Sequence, residues 1–220
     1  WKLAVLDCYR FGFNIPICRA RLLFNSCSIC TFYPFSSLWF LGLAARIQAT
    51  KVMLRIAVTG PESSGKTTLC AALAEHYQVP YIPEYARTYL EQTQGQYQFT
   101  DLEIIAQGQL ESLLSFKGQI AICDTDFSVL ELWSKYKYNK VSDNIKELVA
   151  KDYFDLHVLC TPDMPWELDP LRENPNSRAE LFDLYKTNLN KYNKNFIVVN
   201  GPHEKRLKKT TQAIDCLKKV

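Results

Sequence analysis

The sequence predicts an α/β fold, a three-layer sandwich in which a five-stranded, mainly parallel sheet carries helices on both faces. Three observations carry this. From Met53 onward, apolar runs of strand length alternate with segments of helical periodicity. The runs are apolar throughout, as in strands covered on both faces. A glycine- and serine-rich turn joins the first run to the first helical segment. The elements follow in order. Leu54-Arg-Ile-Ala-Val-Thr59 forms the first strand and ends at Gly60. Lys66 to Tyr77 is a helix, with Leu69, Leu73 and Tyr77 at i, i+4 and i+8. Val79 to Pro83 is a short second strand, followed by a helical stretch over 86–92. Thr100-x-x-Glu103 is a capping box that opens a helix with Leu102, Ala106, Leu110, Leu113 and Leu114 on one face. Gln119 to Cys123 is the third strand and runs into Asp124-Thr-Asp126. Helices over 127–137 and 142–151 lead to a fourth strand, Asp155 to Cys160. A second capping box, Ser177-x-x-Glu180, opens a helix through Leu181, Leu184, Tyr185 and Tyr192. Asn195 to Val199 is the fifth strand, and 204–218 is a closing helix.

Composition narrows the function. The 220 residues are 47% hydrophobic and 22% charged, enough apolar material for a packed core. The net charge of +3 is unevenly spread: residues 1–52 carry a net +5 and residues 53–220 a net −2. A nucleic-acid-binding domain concentrates basic residues in its folded part. The body of this chain does not, so nucleic acid is not an expected partner. Cys70, Cys123, Cys160 and Cys216 are widely spaced and mostly set in apolar runs, which suits free thiols in a reducing, cytoplasmic compartment.

Residues 1–52 read differently. Cys27-Ser-Ile-Cys30 has the spacing of a zinc half-site or redox pair, but a second pair with ligand spacing is missing. Leu22 to Ala45 carries no charge, yet Asn25, several serines and Pro34 interrupt it as a membrane span. The expectation is a non-core extension, translated upstream sequence or a leader, with Met53 as the natural start. No membrane association is expected unless this segment is native.

Gly60-Pro-Glu-Ser-Ser-Gly65-Lys66-Thr67 matches G-x-x-x-x-G-K-S/T between a predicted strand and a predicted helix, the context that gives the motif meaning. Gly60 and Gly65 let the backbone curl so that successive N–H groups face one anion, and the following helix adds its positive end. The nucleotide-phosphate cradle is therefore Gly60, Glu62, Ser63, Ser64, Gly65, Lys66, Thr67 and Thr68. Lys66 reaches the β- and γ-phosphates, and the Thr67 hydroxyl is a Mg²⁺ ligand. The fold is thus expected to be that of a P-loop NTPase, with ATP and Mg²⁺ as cofactors. Asp124, at the end of the third strand, is the expected second metal-side group. Asp126 could share that site, face the acceptor, or cap the next helix.

Three further features favour group transfer. Pro83-Glu84-Tyr85-Ala86-Arg87 offers a carboxylate for a hydroxyl proton, a ring to stack on a base, and an Arg for an anion. The loop after the fourth strand, Thr161 to Arg172 and on to Arg178, is Pro-broken and carries two Arg that could close over phosphates as a lid. Phe127, Trp133, Tyr136 and Tyr138 could line a pocket for a flat ring, although such a stripe also suits a core.

Gly60-Pro-Glu-Ser-Ser-Gly-Lys-Thr-Thr68, Pro83-Glu-Tyr-Ala-Arg87, Cys123-Asp-Thr-Asp126 and the lid pattern D-x-P-W-x-x-D-x-x-R, Asp163 to Arg172, resemble the ribosylnicotinamide kinase domain of NadR-type proteins over 53–220. The resemblance implies Mg-ATP-dependent phosphorylation of the 5′-hydroxyl of nicotinamide riboside in NAD salvage. The catalytic residues expected are Lys66, Glu84, Asp124, Asp126 and Arg172. Glu84 is preferred over Asp126 as the base, and Arg178 joins the nucleotide site. Glu84, Tyr85, Arg87, Trp133 and Tyr136 are expected at the acceptor. The three histidines, His76, His157 and His203, cannot form the H-x-G-H signature of the adenylyltransferase domain that multidomain members also carry. A kinase for another nucleoside or metabolite, or an ATP-binding regulatory module, is the alternative. Oligomeric state is not readable.

Overall fold

A computed structural model of the chain describes residues 53–151, 153–169 and 176–218. Residues 1–52, with the Cys27/Cys30 pair and the uncharged stretch, lie outside the described residues, as does Arg172.

Among the described residues five strands form one sheet: β1 (Leu54–Thr59), β2 (Tyr81–Ile82), β3 (Ile120–Asp124), β4 (Leu156–Cys160) and β5 (Phe196–Val199). Their spatial order is β2-β3-β1-β4-β5, and every pairing is parallel. The sheet is thus wholly parallel where a mainly parallel one was expected. Among the described residues six helices lie between the strands, α1 (Lys66–Tyr77), α2 (Tyr85–Gln92), α3 (Asp101–Ser115), α4 (Phe127–Tyr138), α5 (Asp143–Ala150) and α6 (Arg178–Lys191), and a seventh, α7 (His203–Leu217), follows β5. Among the described residues, no helix is long and apolar enough to cross a membrane.

The central strand shows why the sheet needs two covers. Successive side chains of a strand point to opposite faces. Ile56 and Val58 pack with Leu69, Leu73 and Ile214 of α1 and α7, while Ala57 faces Ala86, Leu102, Leu113 and Phe127 of α2, α3 and α4. Leu159 meets Leu181, Tyr185 and Leu189 of α6. Phe127, one of the four rings expected to line a pocket, is core and packs on Tyr153 and Phe154. Cys70, Cys123 and Cys160 are buried free thiols as the sequence suggests, but Cys216 is exposed near the end of α7.

Neither capping box forms, since neither Thr100 nor Ser177 makes a side-chain cap hydrogen bond. Thr100 already has helical torsions, φ −65° and ψ −27°, unlike the extended conformation of a side-chain cap. Turns at Gln98–Glu103 lead into the helix instead, and the Asp101 carboxylate accepts from Gln98 N at 2.7 Å. The helix that does start on a capping side chain is α5, where Ser142 Oγ accepts from Ile145 N at 3.3 Å.

Because the strands are parallel, all five carboxyl ends fall on one edge. The turns after Thr59, Ile82, Asp124, Cys160 and Val199 therefore gather there, at the place where open α/β sheets bind ligands.

Candidate active site

The turn from β1 to α1 is a concave run of backbone amides. Gly60 has φ +138°, Ser63 +49° and Gly65 +77°, and these left-handed residues wind the chain around a hollow. Gly60 is required twice over, since a Cβ there would also lie 2.7 Å from the Cys160 carbonyl oxygen of neighbouring β4. The loop is braced internally: Ser64 Oγ donates to Pro61 O at 2.7 Å and Lys66 Nζ to the same carbonyl at 2.8 Å. Residues 60–68 line a cleft of about 290 Å³.

Asp124 ends β3, the neighbour of β1, and reaches across to the loop. Its Oδ2 accepts from Thr67 Oγ1 at 2.6 Å, while its Oδ1 is buried without a hydrogen-bond partner. Burial raises the carboxyl pKa, opposed by the Thr67 hydroxyl, Lys66 and Arg87. A hydroxyl beside a carboxylate oxygen that lacks a partner is a hard-oxygen donor set that fits Mg²⁺, which takes few protein ligands and keeps waters. These two residues would hold it.

Glu84 lies at the end of β2 and lines the same cleft. Burial raises its pKa; Lys66 and Arg87 pull it down, and Asp124 and Glu62 push it up. The turn that presents it is held by buried Gln109 of α3, whose Oε1 accepts from Tyr85 N at 2.7 Å and whose Nε2 donates to Cys123 Sγ at 3.1 Å. Sequence reasoning passed over Gln109, which sits one residue beyond Gly108 on the buried face of α3.

Asp126 is not brought to the cleft. It accepts from Thr59 Oγ1 at 2.9 Å and from Ser128 Oγ at 2.7 Å, and it pairs with His157 Nδ1 at 3.0 Å. Burial would raise its pKa, but His157, Ser128 and Thr59 together hold it below the usual aspartate range. Two residues apart in a continuous strand, the two aspartates would share a face. The strand ends at Asp124, however, and Thr125 turns the chain with φ +83°. Asp124 therefore meets Thr67 of the P-loop helix, while Asp126 swings to Thr59, Ser128 and His157. Asp126 occupies the cap position of α4 without making a side-chain cap bond.

Tyr85 also departs from expectation. Its ring rests on α3, where a Cβ at Gly108 would lie 2.3 Å from it, and it lines a groove between α3 and α5. The register of α2 turns Tyr85 and Tyr89 toward the core packing with α3, while Ala86, Arg87 and Leu90 face the cleft.

Trp133 and Tyr136 of α4 do line the cleft. Beside them stands Tyr97, which the sequence reading missed. Trp133 Nε1 donates to Tyr97 Oη at 2.8 Å, the two rings meet edge to face at 4.8 Å, and Lys137 Nζ lies 3.8 Å from the Tyr97 ring centroid. Tyr138 turns away and packs on Phe99.

Residues 163–169 lie against the P-loop. Met164 Sδ would meet a Cβ on Gly65 at 2.7 Å, and Glu167 N donates to Ser63 Oγ at 3.2 Å. Arg87 Nη2 pairs with Asp169 Oδ2 at 2.7 Å, joining this segment to α2. Arg178 opens α6 and donates to Met164 O at 2.8 Å and Ser63 O at 3.3 Å, with Trp166 beside it. Arg206 of α7, absent from the sequence reading, binds the loop from outside. The signal was there: Arg206, Thr210 and Ile214 are the buried i, i+4, i+8 stripe of α7, an odd place for a lone arginine.

An anion-cradling loop between the central strand and its helix, with a carboxylate from the adjacent parallel strand, defines a P-loop NTPase fold. The chain belongs to the AAA domain family, which matches residues 55–206. It is similar to the trifunctional NAD biosynthesis/regulator protein NadR of Escherichia coli K12, at 29% identity over 153 residues, 66% of this chain and 37% of that protein. Among solved structures it resembles NadR protein in complex with NR, with a TM-score of 0.63 and 20% identity over 76% of this chain and 52% of that one. A second, NadR protein in complex with NAD and AMP-PNP, has a TM-score of 0.65 and 22% identity over 76% of this chain and 50% of that one. The structural likeness is one of fold. The chain spans about a third of the E. coli protein and about half of the solved chains. The NadR-like character read from the motifs is thus matched in both sequence and fold.

Proposed function

We propose that this domain transfers the γ-phosphoryl group of ATP to the 5′-hydroxyl of nicotinamide riboside, giving nicotinamide mononucleotide and ADP. The observation that carries the reading is that one cleft holds the P-loop, the Glu84 carboxylate and the aromatic wall of Tyr97, Trp133 and Tyr136. A hydrolysing switch needs the first of these; an acceptor kinase needs all three. The NadR proteins solved with NR and with AMP-PNP bear on the choice of nicotinamide riboside and ATP.

In this reading the backbone N–H groups of residues 62–67 and the Lys66 ammonium bind the β- and γ-phosphates. Bound Mg²⁺, held by Thr67 and Asp124, would neutralise charge on the phosphate oxygens. Glu84 accepts the 5′-hydroxyl proton as the new O–P bond forms and the bond from the γ-phosphorus to the bridging oxygen breaks, which leaves ADP. Its raised pKa brings it nearer to working pH, where a general base is most effective. Trp133 and Tyr136 stack the base and place the ribose. Most of the catalysis in such a transfer comes from positioning and electrostatics.

The test supplies Mg-ATP and nicotinamide riboside to the chain and follows ADP and nicotinamide mononucleotide together. One-to-one, acceptor-dependent formation is expected. Lys66→Ala should lower kcat by about 10²–10³-fold with an unchanged melting curve. ADP release that responds to another nucleoside but not to nicotinamide riboside would move the domain to a different acceptor. A fully active Lys66→Ala chain would end the kinase reading.

A further inference from the structure

We infer that Arg206 is a positioning residue that presets the phosphate-binding conformation of the P-loop from the side away from the nucleotide. It rests on the nucleotide-binding part of the function proposed above and is independent of the acceptor.

Arg206 lies in the second turn of α7 and is 2% exposed, the largest fully buried side chain described. It does not line the cleft, so it is not a candidate to touch phosphate. Its guanidinium instead gathers three turns of the strand edge. Nη1 donates to Ser64 O of the P-loop at 2.6 Å, Nε to Gly201 O after β5 at 2.8 Å, and Nη2 to Thr161 O after β4 at 3.2 Å. Nη2 also pairs with the Asp163 carboxylate, whose other oxygen accepts from Gly201 N at 2.6 Å. Burial would raise the Asp163 pKa, but Gly201, Thr161 and Arg206 hold it below the usual range. The buried charge is therefore paired, and each of the three guanidinium nitrogens has a partner.

The contact with Ser64 matters most. Peptide bonds here are trans, and in a trans unit C=O and N–H point in opposite directions. Fixing the Ser64 carbonyl outward on Arg206 turns the Gly65 N–H inward, toward the hollow of the loop. Arg178 likewise holds the preceding carbonyl, Ser63 O, at 3.3 Å, and so fixes the peptide that carries the Ser64 N–H. The loop has left-handed torsions at Ser63 and Gly65, so it has little regular structure of its own to keep these peptides in place. Two arginines rooted in α6 and α7 supply that rigidity. A lysine cannot replace Arg206, because a single ammonium lacks the planar fork that meets partners on three turns at once.

The test is Arg206→Lys in the full chain, with MgADP binding measured by calorimetry well below the melting transition. Steady-state KM values for ATP and for the acceptor and a melting curve are recorded beside it. The ADP Kd and the KM for ATP should both rise about tenfold or more, as expected for displaced binding groups, with the acceptor KM unchanged. A variant that melts earlier yet binds ADP like the wild type would show Arg206 to be structural only, and the inference fails. Should Arg206→Lys not fold, Asp163→Asn weakens the anchor while keeping its shape. It should raise the ADP Kd severalfold, and an unchanged Kd there overturns the inference. A wild-type chain that binds ADP but leaves nicotinamide riboside untouched retires the substrate proposal and leaves the role of Arg206 standing.

Discussion

Glu84 and Asp126 are carboxylates on either side of the same strand edge, and their surroundings drive them in opposite directions. Asp126 is surrounded by Thr59, Ser128 and His157, so its charge is matched by donors and its proton is given up easily. Glu84 is enclosed with less compensation, and burial raises its pKa. The sign follows from linkage. The folded state holds the Glu84 proton more tightly than the unfolded chain does. The stability this group contributes is therefore fully present below the ordinary glutamate range and is lost as pH rises through the raised native value. Glu84→Gln, which keeps the shape and removes the charge, should thus be at least as stable as the wild type at pH 7 in a urea melt. As the proposed base, Glu84 must be ionised to act, so the acid limb of kcat/KM, which reports the unliganded enzyme, should lie above the ordinary glutamate range. The substitution should abolish that limb and lower kcat by about 10²–10⁴-fold. A Gln variant with wild-type kcat and an intact acid limb would remove Glu84 from the chemistry. The motif P-E-Y-A-R made Glu84 legible in the sequence. The separation of Asp126 from the site was not legible, because two aspartates two residues apart would share one face of a continuous strand, and nothing in the letters shows that Thr125 takes φ +83° and turns the chain between them.

Among the elements, the strands were read most closely, because a parallel sheet covered on both faces leaves continuous apolar runs and Gly or Asp at their ends. Helix α1 agrees to the residue, since the P-loop defines its start and Gln78, with φ +54°, marks its end. Helix starts without such a marker were less legible. Thr100-x-x-Glu103 has the letters of a capping box, but the preceding turn is already helical and leaves the hydroxyl no cap to make. Side-chain facing was hidden for a related reason: which side of α2 meets α3 depends on a glycine in another helix. Gly108 lets α3 take the Tyr85 ring against its backbone. Gly108→Ala would insert a Cβ at 2.3 Å from that ring, so the ring must move or the helices part. The expected cost is about 1–3 kcal/mol in a urea melt. Tyr85→Ala should itself be destabilising, but in its background Gly108→Ala should cost much less, a non-additive cycle. Additive costs would mean that the two residues do not share this contact. Because Tyr85 faces the core, its loss should leave the KM of the acceptor largely unchanged once the fold is intact.

At the scale of the whole molecule, the strand order puts β1 in the middle, with β3 supplying Asp124 on one side and β4 supplying the 161–169 segment on the other. Long-range tethers between loops leave no local pattern in a sequence. The pair between Arg87 and Asp169 is one of them: it joins residues 82 positions apart and ties the segment over the P-loop to the helix that directly follows Glu84. Arg87 is half exposed, so the pair adds little stability, on the order of 1 kcal/mol or less. Its value lies in holding two walls of one cleft together. Arg87→Asp places two acids face to face and should raise the KM of both ATP and acceptor severalfold, with hardly any change in the urea midpoint. Adding Asp169→Arg restores an ion pair of reversed polarity at the same place. If the tether is what matters, the double variant recovers most of both KM values. If only the ATP value recovers, the Arg87 guanidinium is needed by the acceptor itself, as the sequence motif first suggested. If neither recovers, the tether has no part in closing the cleft, and the contacts of the 161–169 segment with the P-loop, Arg178 and Arg206 are enough to hold it.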